Sequence, residues 1–172
     1  MSTKTAAVTL EGEGLRFRAS AGSGHAIVLD DGAGDTGMRP AELVPVALAG
    51  CTAMDVISIL RKKRQVVTRY EVRATGEQDD AHPHAFTRID VVHDLTGVDL
   101  DPAAVARAIE LSATKYCAVG STLATGVTEI HHAYVIREPT GGDTMAEVIV
   151  LGPYEPPDAI GARRAMSGAD GG

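Results

Sequence analysis

The chain has 172 residues, of which 44% are hydrophobic and 3% aromatic, with no tryptophan and a formal net charge of −7 at pH 7. The acidic balance argues against nucleic acid, whose phosphates are neutralised by lysine and arginine, and the scarcity of aromatics argues against single-strand binding. No segment at the start reads as a secretory signal, and the apolar runs look shorter than the ~20 residues of a membrane span. We therefore expect a cytoplasmic protein that contacts neither nucleic acid nor membranes.

Three short strands are predicted in the first third of the chain. Polar and apolar residues alternate over 3–10, 15–20 and 25–30, and the intervening sequences EGEG and SAGSG are typical of turns. A Gly/Asp-rich loop follows, and then a helix over residues 39–64, because apolar residues recur there at helical spacing and basic residues end it. Pro45 lacks an N–H group, so we expect the regular helix to begin near Val44.

The second half predicts a hairpin, a helix and a strand. Residues 67–77 and 86–95 alternate as two antiparallel strands, Asp101 and Pro102 have the chemistry of a helix start, and 129–137 alternates again. The order of elements indicates an α+β fold with antiparallel sheets rather than a doubly wound parallel fold. We predict one domain over residues 1–138.

Residues 139–172 form a predicted C-terminal extension. AEVIVL reads as one short strand, and the Pro-, Gly- and Ala-rich sequence after it reads as a flexible tail.

The chain contains two cysteines, Cys51 and Cys117, which are too few for a structural zinc cage. The helices that carry them both present apolar stripes to one small core, so we expect the two sulfurs to lie near each other. His131 and His132 are adjacent in a strand and point to opposite faces, which excludes a shared metal ion. The composition by itself favours two buried free thiols.

Three other side chains near the cysteines admit structural interpretations. Asp55, one turn after Cys51, is interpreted as an exposed helix acid, and Tyr116 as a core residue. Glu42 lies nine residues before Cys51, a rise of ~13.5 Å along a helix, so the two residues cannot meet within one straight helix. Glu42 therefore has either a local role at the helix start or a partner in another subunit.

Two segments resemble the OsmC/Ohr family of organic hydroperoxide thiol peroxidases, PAELVPVALAGCTAMDVISILRKKRQ and SATKYCAVGSTL. The second is similar to the OsmC-like branch that carries KYC, and the resemblance covers roughly residues 3–138. It implies an intertwined homodimer in which antiparallel sheets pack on two central helices. It also implies that Cys51 reduces the peroxide, Cys117 resolves the oxidised product and Glu42 supports the thiolate.

The same resemblance implies an arginine beside the reactive thiolate, for which Arg16, Arg18 and Arg39 are candidates and Arg16 is favoured. The expected function is cysteine-based reduction of organic hydroperoxides in oxidative stress defence, without cofactor or metal. The resemblance implies a dithiol reductant, in this family a lipoylated protein. The alternative is a non-catalytic dimer that binds an apolar ligand or senses oxidants. An arginine within hydrogen-bonding reach of Cys51 would distinguish the two.

Overall fold

A computed structural model describes residues 3–138 and 141–153. The chain divides into two compact units, Met1–Val46 and Ala47–Gly172. Residues 154–172, which make up most of the predicted tail, lie outside the described residues.

The first unit is built on a three-stranded antiparallel sheet with the order β1-β2-β3. Its strands are β1 (Ala6–Leu10), β2 (Phe17–Ala21) and β3 (Ala26–Leu29), so the three strands predicted from alternation are present. The chain then passes through the loop and a 3₁₀ turn, Pro40–Glu42, before helix α1 begins at Leu43.

Helix α1 spans Leu43–Lys62, so it begins one residue before the predicted start. Pro45 therefore lies in the first turn, where the backbone N–H groups have no partner within the helix and a missing one costs little. Only one stripe of the helix is buried, with members four residues apart: Leu48, Thr52, Val56 and Leu60.

The segment Pro40–Lys62 is long and apolar enough to cross a membrane by length and composition, which corrects the expectation that every apolar run is too short. The core helix of a soluble protein passes the same test, so this is weak evidence for a membrane span.

The second unit contains a four-stranded sheet with the order β4-β5-β6-β7. The strands are β4 (Val66–Gln78), β5 (Phe86–Val98), β6 (Glu129–Arg137) and β7 (Thr144–Leu151). β4 and β5 form the predicted antiparallel hairpin, but β5 and β6 pair in parallel. The expectation of purely antiparallel sheets is therefore wrong for this pair, because the helical segment between β5 and β6 carries the chain back to the end of the sheet where β5 began.

The helical segment between β5 and β6 is interrupted. Helix α2 (Pro102–Leu111) is capped by Asp101, whose carboxylate accepts the N–H of Ala103 at 2.9 Å, as the sequence predicts. It is followed by a π-helical turn, Ser112–Tyr116, and by a short helix α3, Ala118–Ala124. Such π turns often accompany functional sites.

The core of the second unit lies between the sheet and the helices. Its buried members come from α1, α2, β5, β6 and the β5–α2 connection: Val56, Leu60, Leu95, Leu100, Val105, Ala108, Ile109, Tyr134 and Ile136. The alternation predicted for β5 and β6 agrees with their burial, since every second residue over 89–95 and 130–136 is buried: Ile89, Val91, His93, Leu95, Ile130, His132, Tyr134 and Ile136. The AEVIVL segment forms part of β7, which pairs antiparallel with β6.

Candidate thiol site

The two cysteines meet within the second unit. Cys51 lies on α1 and is half-buried, whereas Cys117 lies between the π-helical turn and α3 and is 3% exposed. Their sulfur atoms and a carboxylate oxygen of Asp55 all lie within 4.8 Å of one another. The predicted proximity of the two sulfurs is therefore confirmed, although 66 positions separate the residues in sequence.

Asp55 belongs to this cluster, and its interpretation as an exposed helix acid is wrong. One turn of helix separates it from Cys51, so the two side chains lie on the same face of α1. Asp55 is half-buried, and its Oδ2 atom lies 3.1 Å from the hydroxyl oxygen of Ser112. The i, i+4 spacing of cysteine and aspartate was the sequence signal for this contact.

Ser112 links the cluster to the π-helical turn. It is fully buried, and its hydroxyl lies 3.1 Å from Thr52 Oγ1 as well as from Asp55 Oδ2. A hydroxyl has one proton and two lone pairs, so Ser112 can donate to the carboxylate while it accepts from Thr52. This chain of hydroxyl groups holds the carboxylate in place beside the sulfurs.

Cys117 is held in a protonated, inward-facing state. Its sulfur accepts the backbone N–H of Gly120 at 3.3 Å. Burial, and then the hydrogen bond with Cys51, raise the pKa of Cys117 to about 12. The backbone approaches closely here, because a Cβ atom on Gly120 would lie 3.5 Å from the Cys117 sulfur and 3.4 Å from Leu48 Cδ1.

A cavity of about 340 Å³ adjoins the cluster through Asp55. The lining combines apolar and polar side chains: Asp55, Ser58, Ile59, Lys62, Leu111 and Tyr116. Tyr116 is 51% exposed, so its interpretation as a core residue is wrong, because the π-helical turn directs it outward. The cavity therefore reaches the thiol cluster at its carboxylate and not at a sulfur.

Glu42 and the candidate arginines lie in the first unit and make local contacts. Glu42 Oε2 accepts the backbone N–H of Arg39 at 2.9 Å, which caps the 3₁₀ turn. The Arg39 guanidinium bonds Asp35 at 2.7 Å. Arg16 donates to Thr36 Oγ1 at 2.6 Å, and its predicted role beside the thiolate stays a prediction, as does that of Arg18.

The two histidines of β6 point to opposite faces, as the strand period predicts. His131 lies between Glu129 and Glu147 on the outer face, at 2.9 and 3.2 Å. His132 is 1% exposed on the inner face, where its ring stacks on His93 with centroids 5.9 Å apart. Neither histidine belongs to the metal-ligand cluster formed by the cysteines within the described residues.

Comparison with known proteins shows which family the chain belongs to. The model of the OsmC-like protein family matches residues 32–131. Protein YhfA of Escherichia coli strain K12 is 46% identical over 124 residues, which cover 72% of this chain and 92% of that protein. The chain belongs to the OsmC-like family, and the resemblance seen in its cysteine motifs is confirmed.

Solved structures agree on the fold. The crystal structure of a hypothetical protein from Aquifex aeolicus VF5 is 27% identical, with a TM-score of 0.68, and covers 80% of this chain and 100% of that one. An organic hydroperoxide resistance protein from Elizabethkingia anophelis is 14% identical, with a TM-score of 0.56, and covers 79% of this chain and 96% of that one. At that identity the second likeness shows the fold alone. Family membership suggests a function related to oxidative stress.

Proposed function

We propose that the protein reduces organic hydroperoxides through a reactive Cys51 and a resolving Cys117. The observation that carries this proposal is the approach of the two free thiols to within 4.8 Å in a reduced, unbonded state. A disulfide has an S–S bond of ~2.05 Å, so sulfurs that lie within 4.8 Å of each other need a further local approach to be joined. Family membership supports the same chemistry.

The reaction transfers two electrons from the thiols to the peroxide. The Cys51 thiolate attacks one peroxide oxygen, so an S–O bond forms as the O–O bond breaks, and the alkoxide leaves as an alcohol after taking a proton. Cys117 then attacks the Cys51 sulfur, which forms the disulfide and releases water. An external dithiol, which we expect to be a lipoylated protein, returns both cysteines to thiols by exchange.

Exposure supports this assignment of the two roles. Cys51 is half-buried, so a peroxide can reach it. Cys117 is 3% exposed, which suits a residue that reacts only with the oxidised Cys51. The nucleophile toward a peroxide is the thiolate rather than the thiol, so the mechanism needs a cation beside the Cys51 sulfur. We propose Arg16 for that cation and Glu42 as its carboxylate partner.

A homodimer is part of the proposal, in the cytoplasm as the composition suggests. Helix α1 is apolar over most of its length, but only four of its 20 residues are buried in the single chain. Val46 and Met54 on this helix are 52% and 75% exposed. A second copy of the chain would cover this surface, and the intertwined form implied by the family would also bring an arginine to Cys51 of the partner subunit. Sedimentation that shows a monomer at micromolar concentration would contradict the dimer.

The test is a steady-state peroxidase assay with cumene hydroperoxide and several dithiols, including a lipoylated protein. We expect turnover in the wild type, none in Cys51→Ser, and a Cys51–Cys117 cross-linked peptide in non-reducing mass spectrometry. Cys117→Ser should react once and then over-oxidise to the sulfinic acid. A wild-type protein that passes straight to the sulfinic acid, or that does not react, would overturn the two-cysteine mechanism.

One observation favours the alternative of a ligand-binding protein. The first unit contains a cavity of about 560 Å³ with a largely apolar lining: Val8, Leu15, Phe17, Leu29, Asp30, Asp31, Gly32, Arg39 and Pro40. A volume of this order suits a small apolar ligand. Unreactive thiols together with saturable uptake of a fluorescent fatty acid would support this function over the peroxidase.

A further inference from the structure

The cluster of Cys51, Cys117 and Asp55 brings three potential metal ligands together. Each residue offers one ligand atom, two sulfurs and one carboxylate oxygen, and these atoms all lie within 4.8 Å of one another. Thiolate and carboxylate groups are both ligands of divalent metal ions in proteins. The arrangement therefore resembles part of a metal-ligand set.

We propose that the reduced thiol pair and Asp55 form a binding site for a thiophilic divalent cation of the Zn²⁺ class. Thiolate sulfur selects zinc over magnesium and calcium, which prefer oxygen ligands. Two sulfurs and one carboxylate oxygen supply three of the four ligands of a tetrahedral ion, and the fourth position stays open to water. The proposal adds a metal site where the cysteine count alone argues against one.

The geometry fits without rebuilding the backbone. Zn–S bonds of ~2.3 Å and Zn–O bonds of ~2.0–2.2 Å place tetrahedral ligand atoms about 3.5–3.8 Å apart. The three atoms lie within 4.8 Å of one another, so side-chain rotations are enough to close the site. Ser112 donates to the carboxylate from 3.1 Å, which is how outer groups usually orient a ligand.

Metal binding and disulfide formation exclude each other at this site. A bound ion holds the sulfurs about 3.8 Å apart, whereas a disulfide requires ~2.05 Å and leaves no thiolate. The ion therefore binds only the reduced protein and shields its thiols from oxidants. This protective consequence rests on the proposed peroxidase function, but the metal site itself does not.

The test is an anaerobic titration of the reduced full-length protein with Co²⁺, followed by competition with Zn²⁺. We expect thiolate-to-cobalt charge-transfer absorption and the visible bands of four-coordinate cobalt, both removed by Zn²⁺. Asp55→Asn should weaken binding at least about tenfold while it keeps the contact to Ser112. Cys51→Ser should lose part of the charge-transfer absorption, and Asp80→Asn, an exposed loop acid, should match the wild type.

Two further experiments distinguish the metal site from the peroxidase reaction. Protein oxidised with diamide, which makes the disulfide without peroxide, should not bind the ion, and saturating Zn²⁺ should slow peroxide-driven disulfide formation at least about tenfold. Absent charge-transfer absorption, or equal affinity in the wild type and Asp55→Asn, would overturn the metal site. A peroxide reaction without metal binding refutes this inference alone. Metal binding that depends on Asp55, in a protein that does not react with peroxide, would refute the peroxidase function and support the metal site.

Discussion

Two groups of side chains in the second unit, the thiol cluster and a pair of histidines, differ in what surrounds them. The thiol cluster lies where α1 meets the π-helical turn, beside a cavity; its three ligand atoms lie within 4.8 Å of one another, and Asp55 bonds Ser112. The histidine pair, His93 and His132, lies on the inner face of the sheet, and both rings are at most 1% exposed. Three of the four ring nitrogens have no hydrogen-bond partner among the described residues.

This difference indicates which of the two groups can take part in a reaction. Both groups contain residue types that are common in active sites. Only the thiol cluster places an accessible residue, Cys51, beside a second residue, Cys117, that can react with its oxidised form. The histidines are held uncharged, because burial lowers the pKa of His93 to about 3 and that of His132 to about 4. Within the described residues, the Tyr70 hydroxyl, 2.7 Å from His93 Nδ1, gives the pair its one hydrogen bond. We therefore expect the histidines to affect stability and the thiols to affect reactivity.

The largest expected effect concerns the two thiols themselves. Iodoacetamide should label Cys51 at least about tenfold faster than Cys117, because Cys117 is 3% exposed and burial raises its pKa to about 12. Peptide mass spectrometry against pH measures both rates in the same sample. Faster labelling of Cys117, or labelling of Cys51 only after unfolding, would reverse the assigned roles.

An intermediate effect concerns the histidine pair and pH. The pKa values in the folded protein lie below the usual 6.5, so the unfolded chain binds more protons as the pH falls through 6.5. The uncharged histidines therefore make their full contribution to the free energy of unfolding above pH 6.5. That free energy should fall by about 2 kcal/mol between pH 6.5 and 5.5. Urea denaturation at a series of pH values measures this loss.

A matched pair of variants assigns the loss to the buried rings. His132→Leu removes an imidazole whose two nitrogens have no partner in the part of the chain that the structure describes, so it should reduce the pH dependence by about half without altering the rate of thiol labelling. His25→Gln, an exposed position in the first unit, should leave the pH dependence unchanged. An unchanged profile in His132→Leu would show that other groups cause the acid sensitivity.

The smallest expected effect concerns the hydroxyl that joins the thiol cluster to the π-helical turn. Ser112→Ala removes the contacts to Thr52 and Asp55 from a fully buried position and should lower the free energy of unfolding by about 1 kcal/mol. Thr114→Ala, which loses an exposed hydroxyl contact in the same turn, should cost less. Equal losses of unfolding free energy in the two variants would mean that the Ser112 contacts do not stabilise the cluster more than an exposed hydroxyl contact does.

Much of the fold follows from the sequence because its elements obey local rules. Alternation identified the strands β4, β5 and β6 with errors of a few residues, and Asp101 with Pro102 marked the start of α2. The parallel pairing of β5 and β6 was missed, since alternation indicates which face is buried but not which direction a neighbouring strand runs. The interruption of α2 was missed as well, because SATKY has no proline or glycine to signal it.

The sequence by itself determined the residue types of the site and the family, since the motifs around Cys51 and Cys117 are local and continuous. Only the tertiary structure decided that Asp55 and Ser112 join the two cysteines, because that meeting depends on how α1 packs against the π-helical turn. The spacing of Cys51 and Asp55 allows a shared face but does not say what that face meets. A side chain's partners across a core are set by packing between segments far apart in sequence, and no local pattern encodes them.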